Sequence, residues 1–220
     1  MDNLATRHKI AKLLVEGHFV AFDFDTQYRW ASGLRSPMYC DCRGPISQPR
    51  VRDEIVATML SVFRDEIPGT EKCSLIAGVA TAAIPWATIL ADRSRLPLVY
   101  VRPGVKDHGT QKLIEGTPAP GGVALLIEDT ISTGRSLLAS AQTLRDVDVS
   151  VACCLSIMNY EFSSTAVQFE SLGLRFYSLT DFHAVTEASF EGGLLTRAQA
   201  NEVLQWWGKV AKEENENKAT

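Results

Sequence analysis

One stretch decides the fold class of this chain: Val123-Ala-Leu-Leu-Ile127-Glu128-Asp129-Thr130-Ile131-Ser132-Thr133-Gly134-Arg135-Ser136. Its first five residues are apolar and predict a buried strand. The residues after Ser136 follow a helical pattern as far as Leu144. A strand, a loop and a helix in this order predict an α/β fold with the loop at the carboxyl edge of a sheet, where ligands bind.

The rest of the chain repeats this alternation of short apolar runs and helical patterns. The other predicted strands are Ser74–Gly78, Leu98–Val101, Val149–Leu155 and Leu174–Leu179. The other predicted helices are Asn3–Glu16, Arg50–Phe63, Ile84–Asp92, Ser163–Leu172 and a last helix to Lys212 capped by Thr196. Nearly continuous apolar strands indicate a parallel sheet covered on both faces. We expect a single domain: residues 1–45 form an N-terminal helix and hood, 46–212 the core and 213–220 a tail.

The loop after the central strand combines two kinds of side chain. Small hydroxyl residues and Gly134 allow backbone N–H groups to surround a phosphate where the next helix begins. Glu128 and Asp129 would repel that phosphate unless they bind sugar hydroxyls or a metal. The glycine patterns of Walker and dinucleotide-binding loops are both missing from the sequence. A loop that only capped a helix would need just one such polar residue.

Composition excludes several other classes of protein. The 220 residues carry a net charge of −4, which argues against a general nucleic-acid surface. No run approaches the roughly 20 apolar residues of a membrane span. The five cysteines, in C-x-C and C-C spacings, fit neither common zinc sites nor a disulfide framework. Free thiols predict a cytoplasmic protein. The net charge and the lack of an apolar span predict that it binds neither nucleic acid nor membrane.

The pattern of an apolar strand followed by acid-acid-x-x-[ST]-[ST]-G-x-S resembles the motif by which type I phosphoribosyltransferases bind phosphoribosyl pyrophosphate (PRPP). The resemblance implies their fold, a central parallel sheet flanked by helices with a small N-terminal hood. It also implies that the acids contact the ribose hydroxyls and that the loop holds the 5′-phosphate. The residues concerned are Glu128, Asp129, Thr130, Ile131, Ser132, Thr133, Gly134, Arg135 and Ser136.

The segment from Arg102 to Gly109 resembles the R-x-x-x-K-x-H-G pattern of orotate phosphoribosyltransferases. That resemblance implies a mobile lid that closes over the pyrophosphate, with Arg102, Lys106 and His108 binding PRPP. It further implies a homodimer in which each lid serves the neighbouring subunit. Lys106 and His108, together with Asp129, are the expected catalytic residues.

The segment Ser32-Gly-Leu-Arg-Ser-Pro-Met-Tyr39 resembles the S-G-x-x-S-P-x-Y segment of the same family. By this resemblance, Tyr39, Cys40 and Ser132 border the pyrimidine ring of orotate. The resemblance implies transfer of phosphoribose from PRPP to orotate, giving orotidine 5′-phosphate in UMP biosynthesis. Mg²⁺ is the expected cofactor, held mainly by PRPP and water and not directly by protein.

Four positions depart from the family pattern of cationic residues. Lysine or arginine is replaced by Ala31, Ala82, Pro103 and, in our nearest match, Asn159. Arg35 is a candidate replacement, and a surface salt bridge is an equal alternative for it. Two other functions stay open: a phosphoribosyltransferase for a different base, and a PRPP-sensing regulator without catalysis. A regulator would need a DNA-binding segment, and no basic helix-turn-helix pattern occurs near the N-terminus.

Overall fold

The structure is a computed structural model that describes residues 4–30, 33–104 and 112–216. Its helices are α1 (Leu4–Glu16), α2 (Pro49–Ser61), α3 (Ile84–Ser94), α4 (Arg135–Arg145), α5 (Ser163–Ser171), α6 (Phe182–Glu191) and α7 (Arg197–Glu216). Its strands are β1 (Val20–Phe22), β2 (Tyr28–Arg29), β3 (Arg35–Ser36), β4 (Met38–Cys40), β5 (Leu75–Val79), β6 (Leu98–Val101), β7 (Ile114–Glu115), β8 (Val123–Ile131), β9 (Ser150–Asn159) and β10 (Phe176–Asp181). Among the helices in these ranges, none is long and apolar enough to cross a membrane.

The central sheet has six strands in the order β10-β9-β8-β5-β6-β7. Five of these strands run parallel, and β7 pairs antiparallel with β6 at one edge. Every residue of β5 is buried, as is the segment 124–127 of β8. Since consecutive strand residues point to opposite faces, this burial means that both faces of the sheet are covered. The predicted α/β fold with a parallel sheet is confirmed.

The two strands beside the phosphate loop are longer than the sequence predicts. Strand β8 continues through Glu128 and Asp129 to Ile131, and β9 continues to Asn159. The extra residues of the two strands pair with one another, as Glu128 does with Ser156. The acidic pair therefore lies on the rigid end of a central strand and not in the loop.

The described residues of the hood, 20–30 and 33–43, contain two small antiparallel ladders. Strand β1 pairs with β4, and the two-residue strands β2 and β3 pair with each other. Helix α7 attaches the hood to the core, because the indole N–H of Trp206 donates to the Arg35 carbonyl at 2.9 Å. The indole N–H of Trp207 donates to the Tyr160 carbonyl at 2.6 Å. Helix α1, by contrast, packs against α6 and β10 of the core.

The sequence analysis missed helix α6, which begins directly after β10 without an intervening turn. Asp181 ends the strand and caps the helix, since its Oδ1 accepts the Ala184 N–H at 2.8 Å. The cap of α7 is as predicted: the Thr196 hydroxyl accepts the Gln199 N–H at 3.3 Å, and the Gln199 side chain accepts the Thr196 N–H at 3.0 Å. That helix extends past the predicted end at Lys212 to Glu216.

Candidate active site

Glu128 and Asp129 stand at the carboxyl end of β8, where the sheet opens into a cavity. Glu128 is only 5% exposed. Its Oε1 accepts the Asp129 N–H at 3.1 Å and its Oε2 accepts the Ser136 hydroxyl at 3.0 Å. Asp129 Oδ1 accepts the N–H of Thr130 at 2.8 Å. These bonds fix both carboxyl groups in place before any ligand binds.

Burial dominates the electrostatics of the acidic pair. Burial, followed by the adjacent Asp129 charge, raises the pKa of Glu128 to about 9. Burial also raises the pKa of Asp129, while the nearby Arg43 guanidinium is among the groups that oppose that rise. Near neutral pH the empty pair therefore retains a proton, and hydroxyl donors from a sugar would favour the ionised form.

The loop between β8 and α4 has the geometry of an anion site. Gly134 adopts φ +72°, and a Cβ there would lie 2.6 Å from Phe169 Cε2. The Ser132 carbonyl accepts the Thr165 hydroxyl at 2.9 Å, which ties the loop to α5. Helix α4 begins at Arg135, and the first amide N–H groups of a helix have no partner within it. These donors and the helix dipole favour a bound phosphate.

A cavity of about 630 Å³ lies between this loop and the hood. Its lining brings together Arg29, Trp30, Tyr39, Cys40, Cys42, Arg43, Ala82, Glu128, Asp129, Thr130, Ile131, Ser132, Thr133, Gly134, Arg135, Ser136, Leu137 and Tyr160. The whole predicted segment from Glu128 to Ser136 lines the cavity, and so do the predicted base-site residues Tyr39 and Cys40. Residues separated by more than a hundred positions in the sequence thus share one site.

Comparisons with known proteins agree with this geometry. Residues 47–162 match the phosphoribosyl transferase domain family. The orotate phosphoribosyltransferase of Bacillus cereus (strain G9842) is 35% identical over 207 residues, which cover 94% of this chain and 97% of the relative. The Coxiella burnetii orotate phosphoribosyltransferase is 36% identical over 198 residues, or 90% of this chain and 93% of the relative. The chain belongs to the orotate phosphoribosyltransferase family.

Solved structures of that family share the fold. Orotate phosphoribosyltransferase from Aeropyrum pernix superposes with a TM-score of 0.66 at 25% identity, covering 84% of this chain and 99% of that one. Leishmania donovani UMP synthase gives a TM-score of 0.78 at 25% identity, covering 92% of this chain. The match spans only 42% of that protein.

The expected family lid falls only partly within the described residues. Lys106 and His108 lie outside them. Arg102 does not line the cavity; its Nη1 lies 3.0 Å from Glu115 Oε1, with its side chain 15% exposed. Arg102, directly after β6, thus has a carboxylate partner on β7 instead of a place on the cavity wall.

Other arginines are candidates to take the place of the lysine and arginine residues that this chain lacks relative to the family pattern. Arg35, one candidate, does not line the cavity and donates from Nη1 to the Thr26 carbonyl at 2.8 Å. Arg29 and Arg43, which the sequence analysis did not single out, do line it. Arg43 donates from Nη2 to the Tyr39 hydroxyl at 2.5 Å. Arg29 lies on β2 and Arg43 follows β4, and contacts with other elements bring both to the cavity, so the motifs recognised in the sequence did not identify them.

The sequence analysis matched Asn159 to an arginine of the family pattern. At the end of β9, however, Tyr160 and not Asn159 lines the cavity. Asn159 Oδ1 accepts the Glu161 N–H at 2.9 Å and takes no part in the lining. Tyr160 is 3% exposed, and its ring centroid lies 4.3 Å from that of Trp30. The cavity wall at the end of β9 is therefore aromatic, and Asn159, our match to the family's arginine, is not part of it.

Proposed function

We propose that this protein transfers the 5-phosphoribosyl group of PRPP to orotate, giving orotidine 5′-phosphate and pyrophosphate in UMP biosynthesis. One observation carries the proposal: the acidic pair on β8 leads directly into the loop with a positive-φ glycine, Gly134, at the start of α4. A ribose 5-phosphate needs both parts, since its hydroxyls require acceptors and its phosphate requires N–H donors.

The cavity's remaining surfaces suit the other parts of the two substrates. Transfer breaks the bond between C1 of the ribose and the pyrophosphate oxygen, so the ring becomes positive as the leaving group takes the electron pair. Asp129, at the ribose, would stabilise that positive charge once ionised. Trp30 and Tyr160, whose rings are in contact, give the cavity an aromatic wall against which a pyrimidine ring can pack. Orotate that has lost its ring proton attacks C1 directly, so positioning and electrostatics carry the rate.

Mg²⁺ is the proposed cofactor, and the donor set of the cavity fits it. Carboxylate oxygens of Glu128 and Asp129 are hard ligands of the kind that Mg²⁺ accepts. Both Glu128 oxygens already accept protein hydrogen bonds, so we propose that PRPP and water supply most of the metal's ligands. When bound, the metal neutralises charge on the pyrophosphate.

We further propose that the lid works across a homodimer, with Lys106 and His108 reaching the neighbouring subunit's cavity. The family resemblance supports this proposal, and so does the position of both residues near the start of the long glycine- and proline-rich stretch of sequence Pro103–Gly122. Two inactive variants, Lys106→Ala and Asp129→Asn, can be mixed under conditions of subunit exchange. One site of the mixed dimer would be intact, so activity should return to roughly a quarter of wild type for random pairing. Exchange without recovery would assign each lid to its own subunit.

A cytoplasmic location is proposed from the state of the thiols. All five cysteines are free and buried, which suits a reducing compartment.

The reaction itself is tested by supplying purified protein with PRPP, Mg²⁺ and a panel of bases. Orotate absorbance should fall only when PRPP and Mg²⁺ are both present. Consumption of adenine, hypoxanthine or uracil without consumption of orotate would assign a different base. PRPP binding with no turnover of any base would favour the regulator.

A further inference from the structure

The cations of the cavity wall fall into two groups. Within residues 4–30, 33–104 and 112–216, the lining contains three arginines. Arg135 starts α4 and belongs to the phosphate loop. Arg29 and Arg43 come from the opposite, hood side. The hood arginines are therefore the described cations that can meet negative charge on the far side of the ribose.

Arg43 has a defined place beside the first turn of α3. The buried indole of Trp86 donates from Nε1 to the Cys42 carbonyl at 3.1 Å. Trp86 is the third residue of α3, and the turn before that helix contains Ala82, which lines the same cavity. The bond to Cys42 thus holds the Arg43 backbone over this turn.

The side chain of Arg43 is directed into the cavity. Its Nη2 donates to the Tyr39 hydroxyl at 2.5 Å. The hydrogen bond to Tyr39 is the main cause that raises the pKa of Arg43, and the Asp129 charge also contributes. The Asp41 carboxylate is 3.8 Å from Nε, and the side chains of Arg43 and Asp41 are 59% and 38% exposed. Such an exposed pair contributes little and leaves the guanidinium available to a ligand.

The order of groups in PRPP then assigns a ligand to Arg43. With the 5′-phosphate in the loop and the hydroxyls at Asp129, C1 and its pyrophosphate point towards the hood. The aromatic contact between Trp30 and Tyr160 suits the flat base. The wall at Arg43, beside the turn that contains Ala82, is left for the pyrophosphate, whose charge needs a cation so close to two carboxyl groups.

We infer that Arg43 is a catalytic residue that binds the pyrophosphate of PRPP, donating hydrogen bonds to its non-bridging oxygens. This inference rests on the proposed function. As the C1–O bond breaks, the electron pair passes to the pyrophosphate, and the guanidinium stabilises that charge. The base nitrogen supplies the pair for the new bond to C1. Arg43 belongs to the same subunit as the phosphate loop, so this contact does not depend on a lid from a partner.

The test compares ligands with and without the pyrophosphate group. Calorimetric titrations with Mg²⁺–PRPP, Mg²⁺–pyrophosphate and ribose 5-phosphate would use wild type, Arg43→Ala and Arg43→Lys. Loss of charge-assisted hydrogen bonds should weaken PRPP and pyrophosphate binding by about tenfold to hundredfold in Arg43→Ala. Ribose 5-phosphate binding should stay within about twofold, and Arg43→Lys should recover part of the loss. Arg35→Ala, a hood arginine outside the cavity, is the matched control and should bind all three ligands normally.

A second variant tests the position of the charge. Adding Ala82→Lys to Arg43→Ala places a cation on the same wall and should restore part of the PRPP affinity. If the double variant unfolds at the wild-type temperature and still recovers no PRPP affinity, that result would contradict the placement of Arg43 beside Ala82.

The remaining outcomes separate this inference from the proposed function. Equal losses for PRPP and ribose 5-phosphate, or no loss for either, would overturn the role of Arg43. Wild-type protein that binds no PRPP would overturn the proposed function itself.

Discussion

The two walls of the cavity are built in different ways. The loop wall is one continuous segment, Glu128–Ser136, at the end of a central strand. The hood wall combines hood residues, among them Arg29 and Arg43, with Tyr160 from the distant end of β9. Sequence motifs identified the loop wall completely and the hood wall only at Tyr39 and Cys40. A sequence motif can therefore identify only those site residues that lie close together in the sequence.

The walls also differ in rigidity. On the loop wall, Glu128 is held by two hydrogen bonds and Gly134 packs against Phe169. On the hood wall, Arg29 and Arg43 are exposed, and β2 and β3 have two residues each. We expect the loop wall to fix the ribose phosphate in one position. The hood wall can adjust to the base and the leaving group.

The largest effect is expected on the loop wall from Asp129→Asn. The amide oxygen can still accept the Thr130 N–H, so the unfolding temperature should change little. Turnover should fall about a hundredfold or more, because the negative charge near the developing ring cation is lost. Steady-state kinetics and thermal unfolding measure the two quantities. Unchanged turnover would remove Asp129 from the site.

Gly134→Ala should damage both stability and phosphate binding. Its φ of +72° disfavours alanine, and the added Cβ would overlap the Phe169 ring. We expect a loss of about 1–3 kcal/mol in unfolding free energy and roughly tenfold weaker ribose 5-phosphate binding. The exposed hood residue Gly33 also has a positive φ, +90°, but has no atom within 4 Å of a Cβ position. Gly33→Ala is therefore the matched control for backbone strain without a clash, and equal losses in both variants would contradict the role of packing.

Glu128→Gln should stabilise the empty protein at pH 8 and not at pH 4. The folded pKa of about 9 lies above the ordinary 4.5, so folding favours the protonated form. Stability from this group is complete below about pH 4.5 and is lost as pH rises towards 9, by at most about 1.4 kcal/mol per unit. Glutamine removes that loss, and denaturant unfolding at the two pH values measures it. A pH-independent difference between the proteins would show that Glu128 is ionised when the cavity is empty.

Tyr39→Phe should give the smallest effect, and it falls on the hood wall. It removes the hydroxyl that accepts from Arg43 and keeps the ring contact with Tyr28, whose centroid is 5.5 Å away. One such hydrogen bond corresponds to about twofold to tenfold in affinity. PRPP titration should show this loss, with ribose 5-phosphate binding unchanged as the control. A loss as large as that in Arg43→Ala would mean that Tyr39 itself contacts the substrate.

Periodicity predicted the strands of the parallel sheet because their residues are buried on both faces. It missed α6, since Asp181 ends a strand and caps a helix with no turn between them. It also stopped β8 before Glu128, because polar residues do not look like a buried strand until their pairing with β9 is known. The sequence pattern also did not show that Tyr160 and not Asn159 lines the cavity at the end of β9. That outcome depends on which side chain faces the cavity, and the pattern does not contain this information.

The central claim is that PRPP spans the cavity from the loop wall to the hood wall. A crystal structure of the protein with PRPP and Mg²⁺ tests it most directly. We expect the 5′-phosphate on the amide groups of residues 130–136, in and around the loop between β8 and α4. We expect the ribose hydroxyls at Glu128 and Asp129, and the pyrophosphate towards the hood. A 5′-phosphate bound away from that loop, or a ribose out of reach of both carboxyl groups, would contradict the account.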